Sequence, residues 1–379
     1  MRCITKNISL SELDAGSRGF TMNHRESFRA MMNFEKPEHL CQFEWGYWWE
    51  TIDRWRSEGL PPDAQPWDDC GISHYFRPPI VCGILPPFEY KVFEEDETSR
   101  VVQTGAGIIC RESKIGSRLP QFIKHPVSNR DDFEAIKERL DPKTPGRYPD
   151  NWDEWAKGAD DFPHILCLGN AENGFFGWLR ELMGLEGLLM AYVEQPEFVH
   201  EICRYHVTYL KELFERALRD VKFDFVFMWE DMSYKNGPLI SPEFIRTFML
   251  PYYKEIVDFY KQMGATWVTV DSDGDVSKLI PLFIEAGIDG MLPFEVAAGM
   301  DIREIRKAYP KFRILGGIDK REIAKGPEAI DRELESKLPF MFSHGGYVPG
   351  MDHHVPPEVS YDNFKYYLTR CREIYQSQF

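Results

Sequence analysis

The amino-acid sequence predicts an α/β protein built on a parallel sheet with helical crossovers. Three observations point there. The 379 residues suffice for two to three average domains or for one large α/β barrel. From about residue 160 onward, short apolar runs alternate with amphipathic stretches, the rhythm of strands covered on both faces and of right-handed crossover helices. Polar residues able to do chemistry follow the predicted strand ends, as they do where parallel strands share one rim.

Residues 1–20 read as a loose leader and residues 21–379 as a single domain. A helix is expected over residues 24–33, ended before Lys36-Pro37. Residues 41–47, Cys-Gln-Phe-Glu-Trp-Gly-Tyr, alternate and suit a first barrel strand. A helix over residues 48–58 is stopped by Gly59-Leu60-Pro61-Pro62, and residues 63–80 read as irregular. Two strands, 91–96 and 100–103, flank Glu97-Thr98-Ser99, so residues 86–121 are expected to form an inserted antiparallel β-hairpin. The parallel strands should lie at 164–169, 224–229, 266–270, 290–294, 313–316 and 346–349, with helices such as 194–217, 242–263 and 276–286 between them. No repeat of fixed period occurs, which excludes a solenoid.

Apolar residues make up 43% and charged residues 28%, the proportions of a folded globular chain. The net charge is −16, and the densest basic stretch, Arg303 to Arg313, also holds Glu304. Neither a nucleic-acid backbone nor an anionic lipid surface is therefore an expected partner. No apolar run is long enough for a membrane span or a signal core, so a cytoplasmic protein is expected. The eight cysteines show no CxxC pair and no zinc-finger spacing, and read as reduced, mostly buried thiols.

The strand-end residues are Glu44, Asn170 with Glu172 and Asn173, Glu230 with Asp231, Asp271 with Asp273 and Asp275, Glu295, Asp319 with Lys320, and Asp352 with His353 and His354. Acids in such loops also serve as plain helix caps. Asp271-Ser272-Asp273-Gly274-Asp275 has the look of a calcium loop, but its glycine is misplaced and Leu282 stands where the bidentate Glu belongs, which rejects an EF-hand. Asp271 and Asp273, two apart in extended chain, point the same way. With Glu295 and His353 they would make an oxygen-rich metal site. Glu230 or Asp231, arriving behind an apolar run, is a candidate general acid or base. Tyr47 and Trp229 are candidate ring contacts to a substrate, and Asn170 and Asp319 candidate polar ones.

Several segments carry a family likeness. They are Ile240-Ser241-Pro242-Glu243-Phe244 with Leu250-Pro251-Tyr252; Asp271-Ser272-Asp273-Gly274; Leu315-Gly316-Gly317-Ile318-Asp319; and Val348-Pro349 through His353 to Pro356-Pro357 and Asn363. In order and spacing, the stretch from Met22 to Phe379 resembles the uroporphyrinogen decarboxylase superfamily. That superfamily includes the decarboxylase itself and corrinoid-dependent methyltransferases acting on methanol, methylamine and methyl ether substrates. The resemblance implies a distorted (β/α)8 TIM barrel with its pocket at the C-terminal rim, and a homodimer.

Departures from the pattern narrow the branch. The decarboxylase carries a Met-Arg-Gln-Ala-Gly-Arg-Tyr segment whose arginines receive the acidic side chains of the tetrapyrrole. Here residues 43–49 hold no arginine and the next is Arg54, so uroporphyrinogen is not the expected substrate. In the methyltransferases a His-x-Cys pair and a later Cys bind zinc. The resemblance places Asp271, Asp273 and His353 at those positions and Glu295 at an acidic one, a harder set that suits Zn²⁺, Mn²⁺ or Ca²⁺, zinc first, and does not support coenzyme M as acceptor. The expected function is transfer of a methyl group from a small O- or N-methylated substrate to cobalamin on a separate corrinoid protein, since no Asp-x-His-x-x-Gly cobalamin segment occurs in the chain. Glu230, Asp231 and His353 are the candidate catalytic residues. A lyase decarboxylating a small carboxylic acid and a non-catalytic ligand-binding barrel are the alternatives.

Overall fold

The computed structural model describes residues 22–116 and 119–378, so the expected leader, 1–20, lies outside the described residues. β1 (Tyr75–Phe76) opens a parallel sheet. β2 (Lys91–Glu95), β3 (Ser99–Gln103), β4 (Ile109–Ser113) and β5 (Gln121–Lys124) form a separate antiparallel sheet. β6 (Ile165–Leu168) and β7 (Phe225–Trp229) return to the parallel sheet, and β8 (Ser233–Tyr234) and β9 (Gly237–Pro238) make a short hairpin beyond β7. β10 (Val268–Asp271), β11 (Gly290–Leu292), β12 (Arg313–Leu315) and β13 (Tyr347–Val348) complete the parallel sheet. Its order is β1-β6-β7-β10-β11-β12-β13, every neighbouring pair parallel.

Strands such as β6, Ile-Leu-Cys-Leu, are buried at every residue because helices cover the outer face while side chains fill the barrel. The crossover after β6 includes the helix Pro196–Asp220, whose buried stripe runs from Phe198 to Leu218. The single helix expected over 242–263 is two helices, Pro242–Phe248 and Leu250–Gln262. Pro251 lies in the first turn of the second, where its missing N–H and fixed φ are tolerated, whereas in mid-helix it would remove a hydrogen bond and crowd the preceding turn.

Residues 41–47 are not a regular strand, yet they occupy the eighth position of the barrel. On one side the Ser73 N–H donates to the Gln42 carbonyl (2.8 Å), just ahead of β1. On the other, the Val355 N–H donates to the Gly46 carbonyl (2.9 Å) and the Trp48 N–H to the Val355 carbonyl (3.3 Å), beyond β13. Tyr47 and Val355 form an isolated parallel bridge. The segment thus touches both edges of the seven-stranded sheet and closes it, and the expected (β/α)8 barrel is distorted at this seam.

The insertion is larger than a hairpin. Four strands span Lys91 to Lys124, with the first turn held by Asp96, which accepts from the Thr98 and Ser99 N–H groups at 2.7 Å each. This sheet has its own small cluster of Val102, Ile108 and Cys110. At the opposite end of the barrel from the rim, the helix His24–Met32 starts with a capping box between Asn23 and Glu26. From it Arg25 and Arg29 reach the buried Asp224 carboxylate at 2.9 and 2.5 Å, just before β7. The described cysteines are all free thiols, and only Cys70 is not fully buried. Among the described residues no helix is long and apolar enough to cross a membrane.

Candidate active site

β10 ends in Asp271, and the chain turns at Gly274. There φ is 78°, and an added Cβ would lie 2.8 Å from the Ser233 and Tyr234 backbone, so the turn requires glycine. Beyond β10, Asp273 meets the loop that follows β13, its Oδ2 lying 3.4 Å from His353 Nε2. Burial opposes the charged imidazole, but the hydrogen bond and charge of Asp273 outweigh it and hold the His353 pKa above that of free histidine. His353 stacks on Trp48 with ring centres 6.3 Å apart, and His354 packs edge-on against the same indole. The Asp271 pKa is raised well above the usual carboxylate range by burial, then by Asp273 and Asp231, with Arg77 acting the other way.

Glu295, after β11, accepts the Gly274 N–H at 3.1 Å through Oε2, while its Oε1 lies 3.7 Å from Lys320 Nζ. Lys320 Nζ is also 3.2 Å from Asp352 Oδ1. Asp271, Asp273, Glu295 and His353 therefore share one rim. Among the described residues, however, no three His, Cys, Asp or Glu side chains converge closely enough to hold a metal ion. Glu295 is engaged with an amide and an ammonium. The zinc set implied by the resemblance does not fit this arrangement.

Other expected site residues are built into the wall. Glu230 is fully buried and accepts the N–H groups of Phe175, Phe176 and Gly177 at 2.8, 2.6 and 3.2 Å, at the start of the helix Phe176–Met183. A carboxylate suits the positive end of a helix dipole. Burial nonetheless pushes its pKa up to about 7. Asp319 caps the helix Lys320–Ile323 and is gripped by Arg321 through its backbone N–H and guanidinium at 2.9, 2.9 and 2.7 Å. Tyr47 packs its ring on Trp55 and Phe364, residues of the outer helices, at 5.6 and 6.0 Å. Asn170 accepts the Glu172 N–H at 3.0 Å in a short capping turn. The contacts of these four side chains lie at a helix end, in a turn or on the outer wall.

Asp231 stays at the rim, at φ 41°, and is held by two 2.8 Å contacts from Arg180 to its carboxylate and carbonyl. The Arg180 guanidinium lies 4.9 Å over the Trp229 ring. Arg77 follows β1 in a stretch whose sequence is irregular, and no motif marks it. Its guanidinium lies 5.0 Å from the Tyr75 ring centre and 5.2 Å from that of Phe227. Glu44, on the closing segment, accepts the Met351 N–H at 2.9 Å, and burial pushes its pKa up to about 8. Beneath the mouth a cavity of about 20 Å³, room for about one water molecule, is lined by residues including Trp45, Leu292, Leu315 and Met351. A hollow of about 340 Å³ on the antiparallel sheet, among Thr98, Arg111, Glu112 and Leu119, carries none of these groups.

A parallel barrel that gathers carboxylates, an imidazole and cations at the C-terminal ends of its strands has the architecture of an enzyme. The family model described as uroporphyrinogen decarboxylase (URO-D) matches residues 111–374, more than half of the chain, and the chain belongs to that family. No curated protein matches. Among solved structures the chain is similar to a methyltransferase from Methanosarcina mazei, with 12% identity, a TM-score of 0.56, and coverage of 93% of this chain and 99% of that one. This likeness is one of fold. A xylanase B from Clostridium stercorarium F9 matches at 13% identity over 57% of this chain and 75% of its own, and its TM-score of 0.36 carries no argument.

Proposed function

We propose that the protein is a methyltransferase that moves a methyl group from a small O- or N-methylated compound to the cobalt of a separate corrinoid protein. The observation that carries this reading is the Asp273–His353 pair, 3.4 Å apart at the rim, with the imidazole pKa raised by the carboxylate. An ether or amine surrenders its methyl group readily only when the departing heteroatom is protonated or otherwise stabilised. His353 delivers that proton to the leaving oxygen or nitrogen as the carbon–heteroatom bond breaks. The methyl carbon passes to the reduced cobalt of the acceptor, which supplies the electron pair of the new bond. Asp273 orients the ring and stabilises its charged form, and Trp48 fixes its plane. Family membership and a barrel fold shared with a methyltransferase support the reading. A cytoplasmic location belongs to the same proposal.

The test supplies chemically reduced cobalamin as acceptor and a panel of methoxylated and N-methylated compounds as donors, following methylcobalamin by absorbance. The wild type should form it, and His353→Ala should lower the rate by about a hundredfold or more with an unchanged melting temperature. Retained activity would remove His353 from the mechanism. Elemental analysis of the same two samples reads the metal directly: one equivalent of zinc, lost in the variant, would reassign Asp273 and His353 as ligands. The family to which the chain belongs, described as uroporphyrinogen decarboxylase, favours a second reading, a lyase that decarboxylates a small acid. Carbon dioxide released from such an acid without any methyl acceptor would select it.

A further inference from the structure

The loops after β10, β11, β12 and β13, neighbours in the barrel, are joined at the rim by contacts that close into a circuit. After β10 the Gly274 N–H donates to Glu295 Oε2, after β11, at 3.1 Å; Glu295 Oε1 lies 3.7 Å from Lys320 Nζ, after β12. Lys320 meets one oxygen of Asp352, after β13, twice: its backbone N–H and its ammonium both lie 3.2 Å from Oδ1. The other oxygen, Oδ2, accepts the Val296 N–H at 2.9 Å, one residue beyond Glu295. His353 follows Asp352 in the chain and returns to Asp273, the residue before Gly274, at 3.4 Å. The proton-donating pair of the proposed reaction is thus the last link of the circuit.

Lys320 joins the two halves of this circuit, and it does not help the imidazole by its charge. Burial and the Lys320 charge both oppose the charged form of His353, whereas Asp273 and Glu295 favour it, and His354 is the other titratable group beside it. What Lys320 gives the pair is placement. The Asp352 carboxylate is fully buried, so it must stay with its counter-charge and its two N–H donors, and the chain that carries His353 stays with it. On the other side Lys320 holds Glu295, which fixes the turn that carries Asp273. We propose that Lys320 is a positioning residue: by keeping Glu295 and Asp352 together it sets the separation of Asp273 and His353, and with it the direction in which His353 delivers its proton. The consequence for rate rests on the proposed methyl transfer; the geometry does not. A misplacement of about 1 Å can slow a reaction about a hundredfold.

Placement can be read without turnover, from crystal structures and melting curves of the wild type, Lys320→Met, Lys320→Arg and Glu295→Gln. Lys320→Met should keep the barrel and part Asp273 from His353 beyond ion-pair range, about 4 Å. Lys320→Arg, which keeps the charge and can still span the two carboxylates, should retain the contact. In Glu295→Gln the amide oxygen can serve one of the two donors but not both, so the same gap should open from the other side. That variant decides if Lys320→Met does not fold. An unchanged Asp273–His353 contact in Lys320→Met, or in Glu295→Gln where the methionine variant is unfolded, would overturn the proposal. In the methyl-transfer assay Lys320→Met should lower kcat about tenfold to a hundredfold with KM little changed, and Lys320→Arg should restore most of it. Full kcat in a variant that has lost the contact would also overturn it. The two proposals fail separately: a lost contact in a protein that transfers no methyl group keeps the placement and removes the reaction, while an active protein whose Lys320→Met variant keeps both contact and rate does the reverse.

Discussion

A carboxylic acid buried in a barrel wall makes its proton part of the fold. Glu44 is 2% exposed and its pKa is pushed up to about 8, foremost by burial, against an ordinary value near 4.5. The folded protein therefore holds this proton through the range in which the unfolded chain has lost it. Stability from Glu44 is fully present below the unfolded pKa and declines as pH rises toward 8, by at most about 1.4 kcal/mol per pH unit. Glu44→Gln should flatten that part of the profile, so the gap between wild type and variant in denaturant midpoint should shift in the variant's favour from pH 5 to pH 8. Parallel profiles for the two proteins would show that Glu44 does not bind its proton more tightly when folded. At this scale the sequence was partly legible. That acids would follow the strand ends was readable. Whether a given acid faces the mouth, as Asp271 and Asp273 do, or turns back to a helix end, as Glu230 and Asp319 do, depends on where the next helix begins in space.

Single elements are pinned by a few contacts between parts distant in the chain. The N-terminal helix His24–Met32 is joined to the start of β7 by Arg25 and Arg29, both bound to the fully buried side chain of Asp224, which also accepts the Leu166 N–H at 2.6 Å. Asp224→Ala would leave the almost fully buried Arg25 side chain without its counter-charge, and should cost about 3–5 kcal/mol of stability. Denaturant unfolding of the variant checks this; a loss under about 1 kcal/mol would mean that solvent relieves both cations. The strands of the second half were readable because each is an apolar run bounded by turn residues. β1 was not, since two residues carry no periodicity, and it is defined by its pairing with β6. Residues 41–47 show the converse: an alternating pattern that tertiary contacts hold as an irregular closing segment rather than a strand.

For the whole molecule the antiparallel sheet is the part with least core. Its outer strands β2 and β5 are exposed throughout, with Phe93 and Phe122 about half accessible, whereas the barrel core runs through the rest of the described chain. Local opening should therefore be easiest there. Limited trypsin should cut first near Lys91, Lys114 or Lys124, and the products should remain together on gel filtration because the barrel still holds them. First cleavage in the barrel helices would show instead that the sheet is firmly seated. By itself the sequence determined a parallel α/β sheet, six of its strands in order, the presence of an antiparallel insertion and the acid-rich rim, because these follow from local periodicity and turn chemistry, while the barrel class was implied by the family resemblance. Only the tertiary structure decided how the barrel closes, that Asp273 meets His353, and that the Arg77 guanidinium lies against the rings of Tyr75 and Phe227. Those facts depend on distances between residues far apart in the chain, which no local pattern of residues encodes.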